Sequence, residues 1–235
     1  NPEIIKILIS STFKYNDNET TLSKGELEAV VKNSIINFDN TNLNNFDAIF
    51  RHSNLVKAID ESEKSILSNI TNIRLAKKAS ITLNKSLGFK VNLGNSLYNP
   101  HAGHNSTSGG ITSTTGFYIS GDSTNIQYFD DDGNGKIRRY ILSGGVRSIQ
   151  DSEAGTIDYV SGQISINAVN ITSTINTDTS IEFTLIPNSN DVIAIRGSLI
   201  DIDIDRISVK GEEDTIASGE SSAGVGYSST SSTSY

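Results

Sequence analysis

The 235-residue sequence contains no cysteine, no methionine and no tryptophan. Without cysteine the chain has no disulfides, no thiolate zinc site and no cysteine nucleophile. No apolar run approaches the length of a membrane span, and no basic-then-apolar leader is present. Because there is no methionine even at the start, and a strand-like run follows Asn1 and Pro2 at once, we expect the sequence to begin inside a longer polypeptide.

Positive charge is also scarce. The chain has 19 Lys and Arg against 27 Asp and Glu, which gives a net charge of −8 and a pI near 4.9. This balance disfavours nucleic acid and anionic membranes as partners. Hydrophobic residues make up only 35% of the chain, and the mean hydropathy is −0.25. A composition rich in Asn, Ser, Thr and Ile suits β-structure with polar turns better than a helical bundle.

The first 84 residues predict a compact α/β unit, which we take as the first domain (1–84). Ser23 followed three residues later by Glu26 is a capping box, the signal for the start of a helix. The run at 3–11 is so rich in β-branched residues that we expect both of its faces to be covered. In order, the predicted elements are a strand at 3–11, a helix from Ser23, a shorter helix at 47–59 and an extended segment at 65–80.

Residues 85–210 predict a mostly antiparallel β domain, so the fold class is α+β. Strands at 155–159 and 163–171 predict a hairpin, and so do those at 180–186 and 192–195. Turns at this spacing are typical of an antiparallel sandwich or an open barrel.

The end of this β region carries alternating carboxylates. Asp201, Asp203 and Asp205 alternate with isoleucines within 199–209, which predicts one acidic strand face. That face could attract a cation or a basic partner, although a solvated face is the simpler interpretation. The remainder, 211–235, is rich in Ser, Gly and Thr and predicts an extended C-terminal arm.

The segment after Phe129 resembles a calcium loop. Asp130, Asp132 and Asn134 would supply oxygen ligands at its first, third and fifth positions. The last position of a complete loop is a bidentate Glu, and here it is Ile141. The flanking residues also lack a helical period, so any calcium affinity would be weak and we assign no metal site.

The same segment can instead form a β-hairpin. Asp132-Gly133 and Asn134-Gly135 are dipeptides that favour a positive φ angle at a hairpin tip. Alternating apolar and aromatic residues flank this tip: Ile126, Tyr128, Ile137 and Tyr140. The sequence favours the hairpin over the ion site.

No catalytic constellation is present in the sequence, and we expect neither an enzyme nor a cofactor. His101 and His104 have a spacing seen in metal ligands, but a loop rich in Gly and Pro is not a helix, and no Glu follows the first His. A polar loop contact is the preferred interpretation of this pair.

Several runs in the sequence resemble the C-terminal half of the baseplate wedge subunit family of T4-type contractile-tailed phages, gene product six. Residues 3–80 are also similar to the broader baseplate J-like proteins. The runs are Tyr98-Asn-Pro-His-Ala-Gly-His104, Gly116-Phe-Tyr118, Phe129-Asp-Asp-Asp-Gly133, Gly155-Thr-Ile-Asp-Tyr159 with Gly162, Pro187-Asn-Ser-Asn-Asp191 with Arg196, and Asp214 to Glu220 with Gly226-Tyr227.

The resemblance implies a structural subunit of the virion tail baseplate, assembled in the host cytoplasm. Such proteins form homodimers, bind other wedge proteins and join wedges into a ring around the tail hub, which rearranges on contraction. No nucleic acid, membrane or small-molecule substrate is expected.

The alternative function is that of a calcium-dependent adhesion or carbohydrate-binding β-module. Candidate contact residues are the charged hairpin residues and the tail tyrosines: Asp131, Asp132, Arg138, Arg139, Tyr227 and Tyr235.

Overall fold

The computed structural model describes residues 3–43, 45–105, 110–195 and 197–217. These ranges are mostly β-structure, with two α-helices, α1 (Lys24–Asn42) and α2 (His52–Asp60). Neither helix is long and apolar enough to cross a membrane. The strands are β1 (Glu3–Tyr15), β2 (Ile49–Phe50), β3 (Ile66–Ser80), β4 (Ser86–Asn92), β5 (Ser113–Thr114), β6 (Phe117–Ile119), β7 (Asp122–Asp131), β8 (Lys136–Ser143), β9 (Val146–Asp158), β10 (Gln163–Thr174), β11 (Ser180–Leu185), β12 (Val192–Ile193), β13 (Ser198–Ile202) and β14 (Ser208–Glu213).

The first sheet combines strands from both ends of the described chain. Its order is β13-β1-β3-β11-β5, and β14 also pairs with β1. The β1–β3 pair is antiparallel, whereas β13 and β14 run parallel to β1. Strands that follow residue 84 therefore pair with strands that precede it. The proposed domain ranges remain predictions.

Burial alternates along β1, so this strand is covered on one face. Ile5, Ile7 and Ile9 are buried, while Ile4 is 45% exposed. The expectation that both faces of this strand are covered is therefore wrong over part of its length. The composition of a β-branched run does not distinguish a strand covered on one face from a strand covered on both.

The elements β1, α1, α2 and β3 follow the predicted strand-helix-helix-strand order. The short strand β2 lies between the helices, so the predicted helix at 47–59 begins only at His52. The capping box is present as expected: the Ser23 N–H donates to Glu26 Oε2 at 2.8 Å, and the Glu26 N–H donates to Ser23 Oγ at 3.4 Å. The apolar side of α1 is fully buried at Leu27, Val31 and Ile35, which attaches the helix to the sheet.

The second sheet is antiparallel and closes on itself. Its order is β4-β10-β6-β7-β8-β9, and β9 also pairs with β10. The interior contains Phe117 and Phe129, whose ring centroids are 4.6 Å apart. Phe129 also stacks on Phe183 of the first sheet at 6.3 Å, so the two sheets share one hydrophobic core.

Two of the three predicted hairpins are present. The β7–β8 pair is one, and the β9–β10 pair at 155–158 and 163–166 is the other. The third is wrong, because β11 pairs with β3 and β5 and β12 pairs with β2. Strand alternation identifies a strand but not its partner, and here all three partners are distant in sequence.

The predicted acidic strand face at the end of the β region is also wrong. β13 ends at Ile202, and a 3₁₀ turn at Ile204–Arg206 separates it from β14. Only Asp201 lies in a strand, and its carboxylate forms an ion pair with Lys6. Asp203 instead forms an ion pair with Arg206 at 2.7 Å.

Candidate functional site

The hairpin formed by β7 and β8 is the centre of the candidate site. Asp130 lies opposite Arg138, and Tyr128 lies opposite Tyr140, with ring centroids 5.5 Å apart. At the tip, Asp132 Oδ1 accepts hydrogen bonds from the backbone N–H groups of Asn134 (2.7 Å) and Lys136 (3.0 Å). This Asx-type contact holds the turn that the sequence predicts.

Asp130 lies one residue pair from the end of the ladder next to the hairpin tip and is fully buried. Arg138 approaches its carboxylate with Nε at 3.0 Å and Nη2 at 3.1 Å, and Arg147 of β9 approaches with Nη1 at 2.5 Å. The Arg147 guanidinium also lies 4.7 Å above the centroid of the Tyr140 ring. A buried carboxylate needs such partners, because removing a charge from water without compensation costs several kcal/mol.

Asp131 is fully buried as well and binds the loop that precedes β5. It accepts hydrogen bonds from Asn105 Nδ2 (2.7 Å), the Thr112 N–H (2.8 Å) and the Tyr159 hydroxyl (2.7 Å). Burial and the hydrogen bond to Asp131 raise the pKa of the Tyr159 hydroxyl well above its usual range, so Tyr159 is a neutral donor. Arg138 Nη2 also donates to the backbone oxygen of Asn105 at 3.2 Å.

We call the side chains of Asp130, Asp131, Arg138 and Arg147 the charge network. The first three are buried, whereas the Arg147 side chain is 35% exposed. The two carboxylates and two guanidiniums of the network cancel in formal charge. Asp131 and Arg138 both bind Asn105 of the loop. Asp130 and Arg147 bind each other between β7 and β9. The network fixes residues 105 and 110–112 of the loop against the hairpin.

The loop approaches the hairpin closely at Gly133, where glycine is favoured. Gly133 has φ +76°, and a Cβ atom there would lie 3.0 Å from the backbone nitrogens of His104 and Asn105. The Gly103 N–H donates to the Gly133 oxygen at 3.0 Å. Both the backbone conformation and the contact therefore disfavour a larger residue.

The two loop histidines pack against each other, with ring centroids 5.7 Å apart. His101 Nδ1 contacts the Ala102 oxygen, and His104 Nδ1 contacts the His101 oxygen. These polar loop contacts agree with the preferred interpretation of the pair. Across the described ranges, no group of three or more His, Cys, Asp or Glu side chains is arranged to hold a metal.

The three calcium-loop positions have different surroundings. Asp130 is bound by two arginines, and Asp132 is bound by backbone N–H groups of its own turn. Asn134 is exposed at the tip. The two carboxylates that would bind calcium are therefore already bound to donors from the protein.

The candidate contact residues of the hairpin also differ in how deeply they are buried. Asp131 and Arg138 are buried within the fold, whereas Asp132 and Arg139 are half-buried at its surface. Arg139 Nη1 donates to Gln127 Oε1 at 2.7 Å. Tyr227 and Tyr235 lie outside the described residues.

Sequence reasoning did not identify Asn105, Arg147 or Tyr159 as parts of this site. Asn105 and Tyr159 reach Asp131 across 26 and 28 positions of the chain, and no local pattern signals such contacts. Arg147 follows the Gly144-Gly145 turn, which pairs it with Leu142 beside Tyr140. The Gly144-Gly145 turn was the one feature of the sequence that could have indicated the position of Arg147.

The β8–β9 hairpin also exposes apolar side chains around its tip. Leu142 is 51%, Val146 is 71% and Ile149 is 43% exposed. We call these three residues the ribbon patch. Nothing in the described chain lies within 4 Å of a Cβ atom built at Gly144 or Gly145, so the tip projects freely.

Comparison with protein families gives one finding. Residues 4–78 match the family model described as baseplate structural protein gp6, C-terminal domain III. A comparison with curated proteins gave no match. The resemblance expected from the sequence is therefore confirmed over the unit formed by β1, α1, α2 and most of β3.

Proposed function

Because residues 4–78 form a gp6-like baseplate domain, we propose that this chain is a structural subunit of a phage tail baseplate. It acts in the virion, where it binds other baseplate proteins. The family match is the observation that carries this function. The β-rich fold supports the same role, since rigid sheets with exposed loops and hairpins suit a scaffold that presents contact surfaces.

Within this role, the chain forms a homodimer, joins neighbouring wedges into a ring around the hub and rearranges when the tail contracts. It is assembled in the host cytoplasm. The sequence runs that resemble the wedge subunit family support these finer steps. The ribbon patch supports them too, because exposed apolar side chains on a projecting hairpin suit a protein contact.

A structural role also agrees with the chemistry of the candidate site. Its acidic and basic groups are bound to one another or to other groups of the protein, as suits a part that holds the fold together. The calcium-dependent module receives less support, because Asp130 and Asp132 already bind other groups. We therefore propose a binding role.

The function is tested by combining the chain with the other wedge proteins of the same phage. Sedimentation velocity is expected to show a complex larger than the free chain. Leu142→Glu with Ile149→Glu is expected to weaken association about tenfold or more, since a charge in a buried contact is costly. Val160→Asp changes an 84% exposed residue at another hairpin tip and serves as the control.

A strict monomer at high concentration that binds no wedge protein would contradict the proposed function. Association that the ribbon variants leave unchanged would contradict only the assignment of the ribbon patch.

A further inference from the structure

The tip of the β7–β8 hairpin contains Asn134-Gly135, the only Asn-Gly dipeptide in the sequence. Asn134 is exposed, and among the described residues no group forms a hydrogen bond with its side-chain amide. An asparagine side chain is short enough to reach the backbone groups next to it. The Asn134 amide is therefore able to approach the nitrogen of the residue that follows.

The backbone nitrogen of Gly135 is accessible as well. The N–H groups on either side of it, those of Asn134 and Lys136, both donate to Asp132 Oδ1, at 2.7 and 3.0 Å. Within the described ranges the Gly135 N–H donates to no acceptor, while the Gly135 oxygen accepts from the Ile157 N–H at 2.9 Å. Gly135 has φ +94° and no side chain that could shield its nitrogen.

An amide and a backbone nitrogen held next to each other in this way can react, because proximity replaces an encounter between separate groups. The Gly135 nitrogen forms a bond to Asn134 Cγ, which closes a cyclic imide, and the bond from Cγ to Nδ2 breaks. The Nδ2 nitrogen takes up the proton that Gly135 loses and leaves as ammonia. Water then opens the imide. Opening at Cγ gives aspartate, whereas opening at the backbone carbonyl gives isoaspartate, whose main chain runs through Cβ and Cγ.

We propose that Asn134 is a site of spontaneous deamidation, and that the isoaspartate formed there loosens the hairpin tip. Isoaspartate inserts a methylene group into the main chain between the two N–H groups that Asp132 binds, so their spacing changes and this contact weakens. The bond from the Ile157 N–H to the Gly135 oxygen lies directly after the insertion. The proposal concerns the chemistry of the turn and does not depend on the baseplate function.

Two Asn-Ser dipeptides are internal references for the rate of deamidation. Asn188-Ser189 is exposed like the hairpin tip, but the serine side chain hinders attack by the serine nitrogen. Asn95-Ser96 is restrained further, because Asn95 Nδ2 donates to the oxygens of Leu93 and Ile193, both at 2.9 Å. The rates are therefore expected to fall in the order Asn134, Asn188, Asn95.

Peptide mapping by mass spectrometry, after incubation of the folded chain in mildly alkaline buffer, measures these rates. Asn134 is expected to deamidate about tenfold faster than Asn188 or more, and Gly135→Ala is expected to remove most of this difference. Asn134→Gln retains an amide on a longer side chain that closes a less favourable ring, and it should stay unmodified over the same period. Deamidation of Asn134 that is no faster than that of Asn188, or that occurs only after unfolding in urea, would overturn the proposal.

Amide hydrogen exchange tests the loosening of the tip. In the chromatographically separated isoaspartate form, the amides of Lys136 and Ile157 are expected to exchange about tenfold faster or more, while those of β3 keep their protection. Asn134→Asp adds the same charge without lengthening the main chain, so it is the matched control and should keep both amides protected. Protection of both amides in the isoaspartate form equal to that of the wild type would overturn the proposed loosening.

Discussion

The two sheets use charged side chains in opposite ways. At the edge of the first sheet, Glu28 and Asp39 bind backbone N–H groups and attach a helix. Inside the second sheet, Asp130 and Asp131 are fully buried and are held by arginines and polar donors. Each edge contact is a single hydrogen bond to a backbone N–H, whereas each buried carboxylate has several partners. Neutralising a charged side chain should therefore lower the free energy of unfolding far more in the second sheet than in the first.

The largest expected effect is the loss of Arg138. Arg138→Met leaves Asp130 with Arg147 and the Gly110 N–H and removes the contact to Asn105, so we expect the free energy of unfolding to fall by about 3–5 kcal/mol. Arg139→Met is the matched control on the same strand. Its half-buried side chain binds only Gln127 among the described contacts, and we expect a loss of about 0–1 kcal/mol. Urea unfolding measures the free energy of unfolding of both variants. Equal losses in the two variants would contradict the stabilising role of the charge network.

A smaller effect is expected from removing the Tyr159 hydroxyl, which binds Asp131. Tyr159→Phe removes one of its three donors and is expected to cost about 1–3 kcal/mol, because the buried carboxylate loses a hydrogen bond. Tyr118→Phe changes a half-buried tyrosine on β6 and should alter the melting temperature little. A Tyr159→Phe protein as stable as the wild type would mean that Asp131 finds another donor.

Glycine variants compare a close contact with a free turn. Gly133→Ala combines a positive φ with a Cβ atom 3.0 Å from two backbone nitrogens, and we expect it to cost about 2 kcal/mol. Gly144→Ala has φ +59° with nothing within 4 Å, so it should cost about 1 kcal/mol. Thermal melts that rank the two variants in reverse would place the loop away from the hairpin.

The smallest effect is a pH dependence at the sheet edge. Asp39 has an ordinary pKa of 3.8 that burial raises to about 6, so between these values the folded state binds more protons than the unfolded state. Its contribution to stability therefore decreases as the pH rises through this window. We expect Asp39→Asn to flatten the profile and to be slightly more stable than the wild type at pH 7. Urea unfolding from pH 4 to 8 checks this, and a wild-type profile that Asp39→Asn leaves unaltered would contradict it.

Sequence reasoning succeeded where the signal was local. The Ser23–Glu26 capping box and the Asp132-Gly133 tip each depend on residues within one turn, and both are present in the structure. It failed where partners were distant. Alternation around Asp203 did not reveal the 3₁₀ turn between β13 and β14, and nothing local indicated that these strands run beside β1.

The candidate site shows the same limit within a single hairpin. The sequence identified Asp130 to Asp132 as notable but placed them together at a charged tip. In the structure, Asp130 and Asp131 lie in the interior because Arg147 and Tyr159, from β9 and the turn that follows it, supply their partners. Only Asp132 remains in the turn. Pairing across a closed sheet decided which carboxylates could be buried, and no sequence pattern specifies that closure.

Locating the chain in purified phage tails by electron cryo-microscopy tests the central claim most directly. The baseplate function predicts density for both sheets in the baseplate ring, with the gp6-like unit of residues 4–78 in each copy. Tails with complete baseplates that lack this chain would contradict the account.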